Sequence, residues 1–477
     1  MRCKCSDPSL IHSRKDQDEL EMLQKSVKLQ NGKLQVTYPF IKDPNCLPYN
    51  RNAAVRIAEK QEKRLLRDGM HSHYNQEFQK YVDRGGIVKL TSQEIEEYKG
   101  PINYISHHGV ITDSVTTPLR IVTNSSLKNG AYSLYDCLAK GPNSLNSMLD
   151  ISLRFRCDEE GMVFDLTKAY NALQTDLVSK HLRRLIWRFS PDEEWSDFAF
   201  DCVAFGDVPA ANCLEIGRNL TADEGFEIDP VAARKIKDDS YVDDNVSGGT
   251  KAEVQRMKGS RKPDGSYSGT MAQILALGKL RLKTIVSTGE SDESVKHLIN
   301  NKVLGYAWDA TSDEMGVSFT VFLSNKKRKA RTMPALTRES LHLLDSTVLT
   351  KRVCLGIVNG FLDFMGISCY FTVRFKLLMR QLYEGSNRGL GYDDKVPDAQ
   401  VNEWKSLIAE AVKSSSLCFP RSVRPPGAKG LPLVVTFGDG ALPAFAACVY
   451  IQWQVPCSHG MVECEQDYDA NLLWAKC

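Results

Sequence analysis

Hydrophobic and polar positions alternate with changing period along the chain, and those changes predict its elements. From Asn52 to Arg84 the spacing is helical, with Ala53, Val55, Ile57, Ala58, Leu65 and Leu66 set among Lys, Arg and Glu. Thr91-Ser92-Gln93-Glu94 is a capping box for a short helix. Residues 103–110 and 116–126 read as two strands joined at the Thr-Thr-Pro break. Gly141-Pro142-Asn143 interrupts the chain before a helix-like stretch to Arg156, and the apolar run Met162-Val163-Phe164 then leads as a strand into Asp165. An amphipathic helix is predicted from Asp176 to Phe189, a strand from Phe198 to Phe205, and a helix to about Leu220. A hairpin follows, turning at Tyr241-Val242-Asp243-Asp244 and closing at Gly248-Gly249. This order predicts an α+β arrangement with helices on one face of an antiparallel sheet.

Beyond the hairpin, Leu280 to Val286 and Val303 to Trp308 read as strands, and 337–384 and 399–414 as helical. After the Pro/Gly/Arg linker at 421–429, Leu433 to Asp439 and Ala446 to Trp453 look like the opening strands of another sheet. Residues 1–36 are polar and read as a loosely held leader. Val353 to Val373 is apolar, but its Asn359, Asp363 and glycines favour a buried helix over a membrane span.

At 477 residues the chain is long enough for two to four domains, with ordinary globular proportions of apolar and charged residues. A net charge of +2 neither requires nor excludes a nucleic-acid partner, because positive charge can be concentrated in one cleft. Fourteen scattered cysteines without a repeating framework suit reduced thiols in a cytoplasmic or nuclear protein. No secretory signal is read at the start, so the expectation is a protein that is neither secreted nor membrane-bound. Cys3-x-Cys5 near His12 has no second ligand pair at zinc-finger spacing. The basic run Lys326 to Arg331 fits a solvated linker or a nucleic-acid contact.

The chemistry centres on Asp165, Asp243 and Asp244. Two adjacent carboxylates in a short turn, with a third at the end of a separate strand, can hold hard cations. Two Mg²⁺ ions about 4 Å apart would stabilise the attacking and leaving oxygens of an in-line phosphoryl transfer. Asp165 and Asp243 would bridge both ions and Asp244 would support the site from its edge. A lone Asp-Asp is more often a turn signal, so its neighbours carry the weight. Arg120, on the predicted hairpin, matches a phosphate in a bidentate way. His107-His108 has no metal-ligand partner at useful spacing and reads as packing or nucleic-acid contact.

Tyr241-Val242-Asp243-Asp244 resembles the signature of reverse transcriptases, and Asp165 with Ala169-Tyr170 resembles their first palm motif. In more detail the chain resembles the polymerase region of Pao-type (Bel/Pao) long-terminal-repeat retrotransposons. The stretches that carry this are Tyr38 to Pro44, His107 to Ser126, Lys140 to Asn143, Val303 to Trp308, and the helix around Gly356 to Arg374.

The resemblance implies a right-hand polymerase fold: a leader over 1–45, fingers over 46–150, palm over 151–300, and thumb and helical connection over 301–430. An incomplete RNase H-like α/β domain would occupy 431–477. It implies that Arg120 grips the triphosphate, that Tyr170 gates against the ribose 2′-hydroxyl, and that Lys283, or Lys279, assists the pyrophosphate. Tyr241, Pro209 and Ala210 would contact template and primer. Asp439, in Phe437-Gly438-Asp439-Gly440, would be the first metal-binding Asp of the RNase H site, whose remaining acidic residues have no match here. Implied cofactors are two Mg²⁺, with Mn²⁺ as a substitute. Implied partners are an RNA template, a DNA or RNA primer, dNTPs and other parts of the element's polyprotein. Asn124 and Val208 depart from the family's usual Asp and Ser.

Two other readings compete. A decayed or domesticated nucleic-acid-binding remnant would keep the cleft without turnover. An aspartic peptidase would need Asp-Thr/Ser-Gly, which neither Asp264-Gly265-Ser266 nor Asp439-Gly440-Ala441 provides.

Overall fold

The computed structural model describes residues 13–111, 119–128, 130–142, 144–204, 206–290, 302–304, 306–317, 319, 321–323, 336–361, 363–415, 417–456 and 466–476. Cys3, Cys5, His12, the Thr116-Thr117-Pro118 break and the basic run at 326–331 lie outside them.

In chain order, helix α1 (Arg14–Ser26) leads into strands β1 (Val27–Gln30) and β2 (Lys33–Val36), and then come α2 (Arg51–Arg67), α3 (His71–Asp83), β3 (Ile87–Lys89) and α4 (Ser92–Glu97). Next are β4 (Ser106–Ile111), β5 (Leu119–Asn124), α5 (Leu134–Cys137), α6 (Met148–Cys157) and β6 (Glu160–Leu166), with a 3₁₀ turn at Ala169–Ala172. These precede β7 (Leu173–Thr175), α7 (Leu177–His181), β8 (Arg184–Trp187), β9 (Ser196–Phe200), α8 (Ala210–Glu224) and α9 (Pro230–Asp238). The hairpin strands are β10 (Ser240–Tyr241) and β11 (Asp244–Gly249), followed by α10 (Lys251–Lys258), α11 (Thr270–Leu277) and β12 (Leu282–Ser287). The remaining strands are β13 (Lys302–Val303), β14 (Tyr306–Asp309), β15 (Glu314–Val317), β16 (Cys418–Pro420), β17 (Lys429–Gly440), β18 (Phe445–Pro456) and β19 (Gln466–Lys476). Helices Lys351–Gly360, Cys369–Gln381 and Asp398–Ser414 lie between β15 and β16.

The fold is mixed α/β, with several small sheets in place of one large one. Contacts divide the chain into two compact units. Residues 1–146, 165–243 and 257–283 form the first; 147–164, 244–256 and 284–477 form the second.

In the first unit, β1 pairs antiparallel with β2, and β2 parallel with β7, so Leu34 lies beside Leu173. Strands β3, β9 and β8 form an antiparallel sheet, and β4 pairs with β5, setting Val110 opposite Arg120. The described part of the expected loose leader, from residue 13 on, is instead packed. Leu23, Val27, Leu34 and Val36 are buried, so the α1 helix and the β1–β2 hairpin belong to the core, which the polar composition around those four residues conceals. The capping box at Thr91 forms as read, Thr91 donating its N–H to Glu94 Oε2 at 2.8 Å and Glu94 N–H reaching Thr91 Oγ1 at 3.1 Å.

The predicted helix over 176–189 is mostly something else. Asp176 caps the five-residue α7, and Arg184-Leu185-Ile186-Trp187 then forms β8, buried along its whole length. A strand buried on both faces loses the alternation that distinguishes it from a helix. The strand predicted over 198–205 runs instead over Ser196–Phe200.

In the second unit, β13 to β16 form one antiparallel sheet, and β17, β18 and β19 another. The helical core gathers Val353, Ile357, Phe375, Leu378, Trp404, Leu407 and Ile408. The span 353–373 is two helices broken between Gly360 and Cys369, and none of the described helices is long and apolar enough to cross a membrane. At the break, Gly366 has φ +70°, and a Cβ there would lie 1.7 Å from the Ala475 carbonyl oxygen. Gly248 and Gly249 do not close a turn but lie within β11. A Cβ on Gly248 would meet the Glu160 carbonyl oxygen at 2.4 Å, so close strand approach explains that glycine.

Candidate active site

Strand β6 buries alternate side chains and ends with Asp165 half-buried at its tip. Lys283, at the start of β12, brings its Nζ to 2.8 Å from Asp165 Oδ2. Asp243 lies close enough to Asp165 to feel its charge. Asp243 is solvent-exposed in the turn, yet partial desolvation by the protein around it, then the charge of Asp165, raise its carboxyl above the usual carboxylate range, and Arg120 opposes the rise. Arg120 is exposed on β5, so one guanidinium and one ammonium flank the carboxylate pair.

The turn that presents Asp243 is unusual. Val242 has φ +55° and joins β10 to β11 with Asp243 as the second central residue. Positive φ at the first central position is the pattern of a type II′ hairpin turn, where glycine is the ordinary choice. A β-branched residue there is a true outlier and costs about 1–3 kcal/mol. Sequence reading found the turn but not its strain.

Tyr170 sits half-buried on the 3₁₀ turn that follows β6, and its hydroxyl is pushed up by burial and then by the charge of Asp243. Pro209 precedes α8 and Ala210 is 3% exposed, so both are buried. Their side chains pack where α8 begins. Tyr241 is half-buried. Lys279 is exposed at φ +58°, and it is Lys283 that reaches Asp165.

Asp244 is exposed and opens β11. Among the described residues, no three His, Cys, Asp or Glu side chains converge as a metal site. What comes together is the pair Asp165 and Asp243. A carboxylate whose proton affinity is raised by a second carboxylate nearby fits a divalent cation, which would relieve the repulsion between them.

Residues not singled out from sequence complete the surroundings. Burial, then the nearby positive charges of Arg84, Arg120 and Lys283, depress the Lys168 ammonium below its ordinary value. Lys168 takes a left-handed φ of +48° directly before the 3₁₀ turn. Its place within Asp165-Leu166-Thr167-Lys168-Ala169-Tyr170 was the available signal. Arg84 ends α3, and nothing in its sequence context points to the site.

The loop before α8 is fixed by a buried network. Asp207 accepts from Tyr38 Oη at 2.5 Å, Arg183 Nη1 at 3.1 Å and Ser125 Oγ at 2.9 Å, with the Arg183 and Asp207 side chains fully enclosed. Breaking one side of such a pair leaves an uncompensated charge. His107 is likewise structural. It bonds Tyr74 Oη and the Ile186 carbonyl, and burial holds its imidazole down to about 4, hence neutral.

Asp439 lies on β17 opposite Ala446, exposed, with Oδ1 accepting the N–H of Gly440 at 2.8 Å. Asp264 takes part in an exposed turn with Ser266.

Taken together, the first unit is a mixed α/β body carrying an acidic pair with cationic flanks. Residues 350–476 match the family model described as Pao retrotransposon-like RNaseH-like domain. The match begins at the helix Lys351–Gly360, well before the sheet of β17 to β19. No curated protein matches the chain. Among solved structures it is similar to a foamy viral protease-reverse transcriptase in complex with double-stranded DNA. The TM-score is 0.44 with 13% identity, over 82% of this chain and 54% of that one, so the chain spans about half of that protein's length.

Proposed function

We propose that the first unit holds the nucleotidyl-transfer site of an RNA-directed DNA polymerase, acting on an RNA template, a DNA or RNA primer and dNTPs. The observation that carries the reading is the Asp165–Asp243 pair flanked by Arg120 and Lys283. The retrotransposon match at 350–476 supports it.

Asp165 and Asp243 would hold divalent metal, with Asp244 contributing from the edge of the turn. Bound Mg²⁺ supplies charge neutralisation at the α-phosphate and lowers the proton affinity of the attacking hydroxyl. Arg120 supplies a planar fork suited to triphosphate oxygens. Lys283, paired with Asp165 here, would offer its ammonium to a phosphate oxygen of the bound nucleotide. Tyr170, next to Asp243, is the residue suited to sensing the sugar.

The test is primer extension on an RNA template with Mg²⁺, comparing wild type with Asp165→Asn. Extension by wild type alone is expected; equal extension by both would remove Asp165 from the site.

A second reading rests on the Lys283–Asp165 ion pair itself, which neutralises one carboxylate without metal. On that reading the chain is a nucleic-acid-binding remnant, and it predicts salt-sensitive primer–template binding with no extension.

A further inference from the structure

We infer that Arg218 is a positioning residue for the Tyr241–Asp244 turn, holding the backbone that presents Asp243. The inference rests on the polymerase reading for its catalytic consequence, but not for its structural one.

Arg218 lies in the interior of α8 and is 0% exposed. Its Nη1 donates to the Val242 carbonyl oxygen at 2.8 Å. Val242 is the residue at φ +55°, and a β-branched side chain in that region persists only where its surroundings over-determine it. The Arg218 bond is a directed, charge-assisted contact to that residue's backbone, delivered from a helix rather than from the hairpin.

The rest of the guanidinium is poorly supplied. Among the described residues Arg218 Nε and Nη2 have no hydrogen-bond partner, and neither has Glu215 Oε2, one helical turn earlier on α8. Burial pushes the guanidinium down to about 10, with Glu215 and Tyr170 offsetting part of that, so it remains charged at neutral pH. Enclosing a cation with two idle donors is costly, and a hydrophobic side chain of similar volume commonly fills such a site at no loss of stability. The cost is therefore poorly explained by packing. It is explained by the one well-made bond, which reaches the strained residue next to Asp243. Tyr170, whose hydroxyl feels both Arg218 and Asp243, lies in the same neighbourhood.

The account separates positioning from stability. Arg218→Met alone would leave Glu215 without its neighbouring cation, so the informative protein is the double variant Arg218→Met with Glu215→Gln. Arg218→Lys is a second variant that keeps the charge but shortens the reach. Hydrogen exchange over residues 238–246 reads the turn without metal or substrate, and single-nucleotide primer extension reads its catalytic consequence.

The double variant is expected to melt no lower than wild type. Its turn should exchange at least about tenfold faster, while α8 and α9 keep their protection. Extension kcat should fall by about 10–100-fold, as expected of a reacting group displaced by about an ångström, with the dNTP KM within about threefold of wild type. Arg218→Lys should fall between the two, and should carry the comparison if the double variant does not fold. Wild-type exchange at the turn in folded variants overturns the inference, whatever the kinetics. If wild type itself does not extend, the polymerase reading fails, and exchange alone decides whether Arg218 holds the turn.

Discussion

Asp243 and Asp439 are the same residue type in two β-rich settings, each singled out by its neighbours in sequence. Asp243 sits next to a strained valine, feels Asp165, and has Arg120 close by. Asp439 lies on an exposed strand and, among the described residues, accepts the adjacent backbone N–H. Around it Leu431, Leu433, Val434 and Phe437 are exposed as well. A carboxylate becomes chemically useful when its charge is made costly and something is placed to relieve that cost. At exposed Asp243 a second carboxylate raises that cost and Arg120 relieves it.

The comparison can be broken most sharply at Asp243. Asp243→Asn should reduce primer extension on the order of a thousandfold or more, equivalent to about 4 kcal/mol of transition-state stabilisation. In the second unit, the largest effect is structural. Gly366→Ala places a Cβ against the Ala475 carbonyl at a φ that disfavours any side chain. It should destabilise that unit by about 2 kcal/mol or more, seen as a lower melting transition and faster proteolysis within 429–476. Arg120→Lys keeps the charge but loses the fork, so the dNTP KM should rise about tenfold with a smaller change in kcat.

A subtler effect follows from the raised Asp243 carboxyl. A carboxyl raised on folding is stabilising while protonated, and that contribution is lost as pH rises through its folded value. Asp243→Asn should therefore melt above wild type at neutral pH, with the difference shrinking as the pH falls through the ordinary carboxylate range. A variant that loses activity and gains stability would mark Asp243 as kept for chemistry. Asp439→Asn should change stability by less than about 0.5 kcal/mol, as expected of an exposed residue.

Much of this was legible beforehand because it is local. The capping box at Thr91, the strand leading to Asp165, the β4–β5 pairing that carries Arg120 and the two-residue turn before Asp244 all depend on residues within a few positions of each other. What escaped was non-local. The α1 helix and β1–β2 hairpin look polar until Leu23 and Leu34 are seen inside. Strand β8 looked helical because both its faces are buried. Arg218 looked like an ordinary helix residue, because its meaning depends on a carbonyl 24 positions away.

The central claim is that the company of a second carboxylate and of Arg120, rather than the Asp-containing motif, makes the site. Single-nucleotide extension on an RNA template with Mg²⁺, run side by side on wild type, Asp243→Asn and Asp439→Asn, tests it most directly. The account predicts extension by wild type and Asp439→Asn at the same rate and none above background by Asp243→Asn. Equal extension by wild type and Asp243→Asn, or loss of extension in Asp439→Asn, would contradict it.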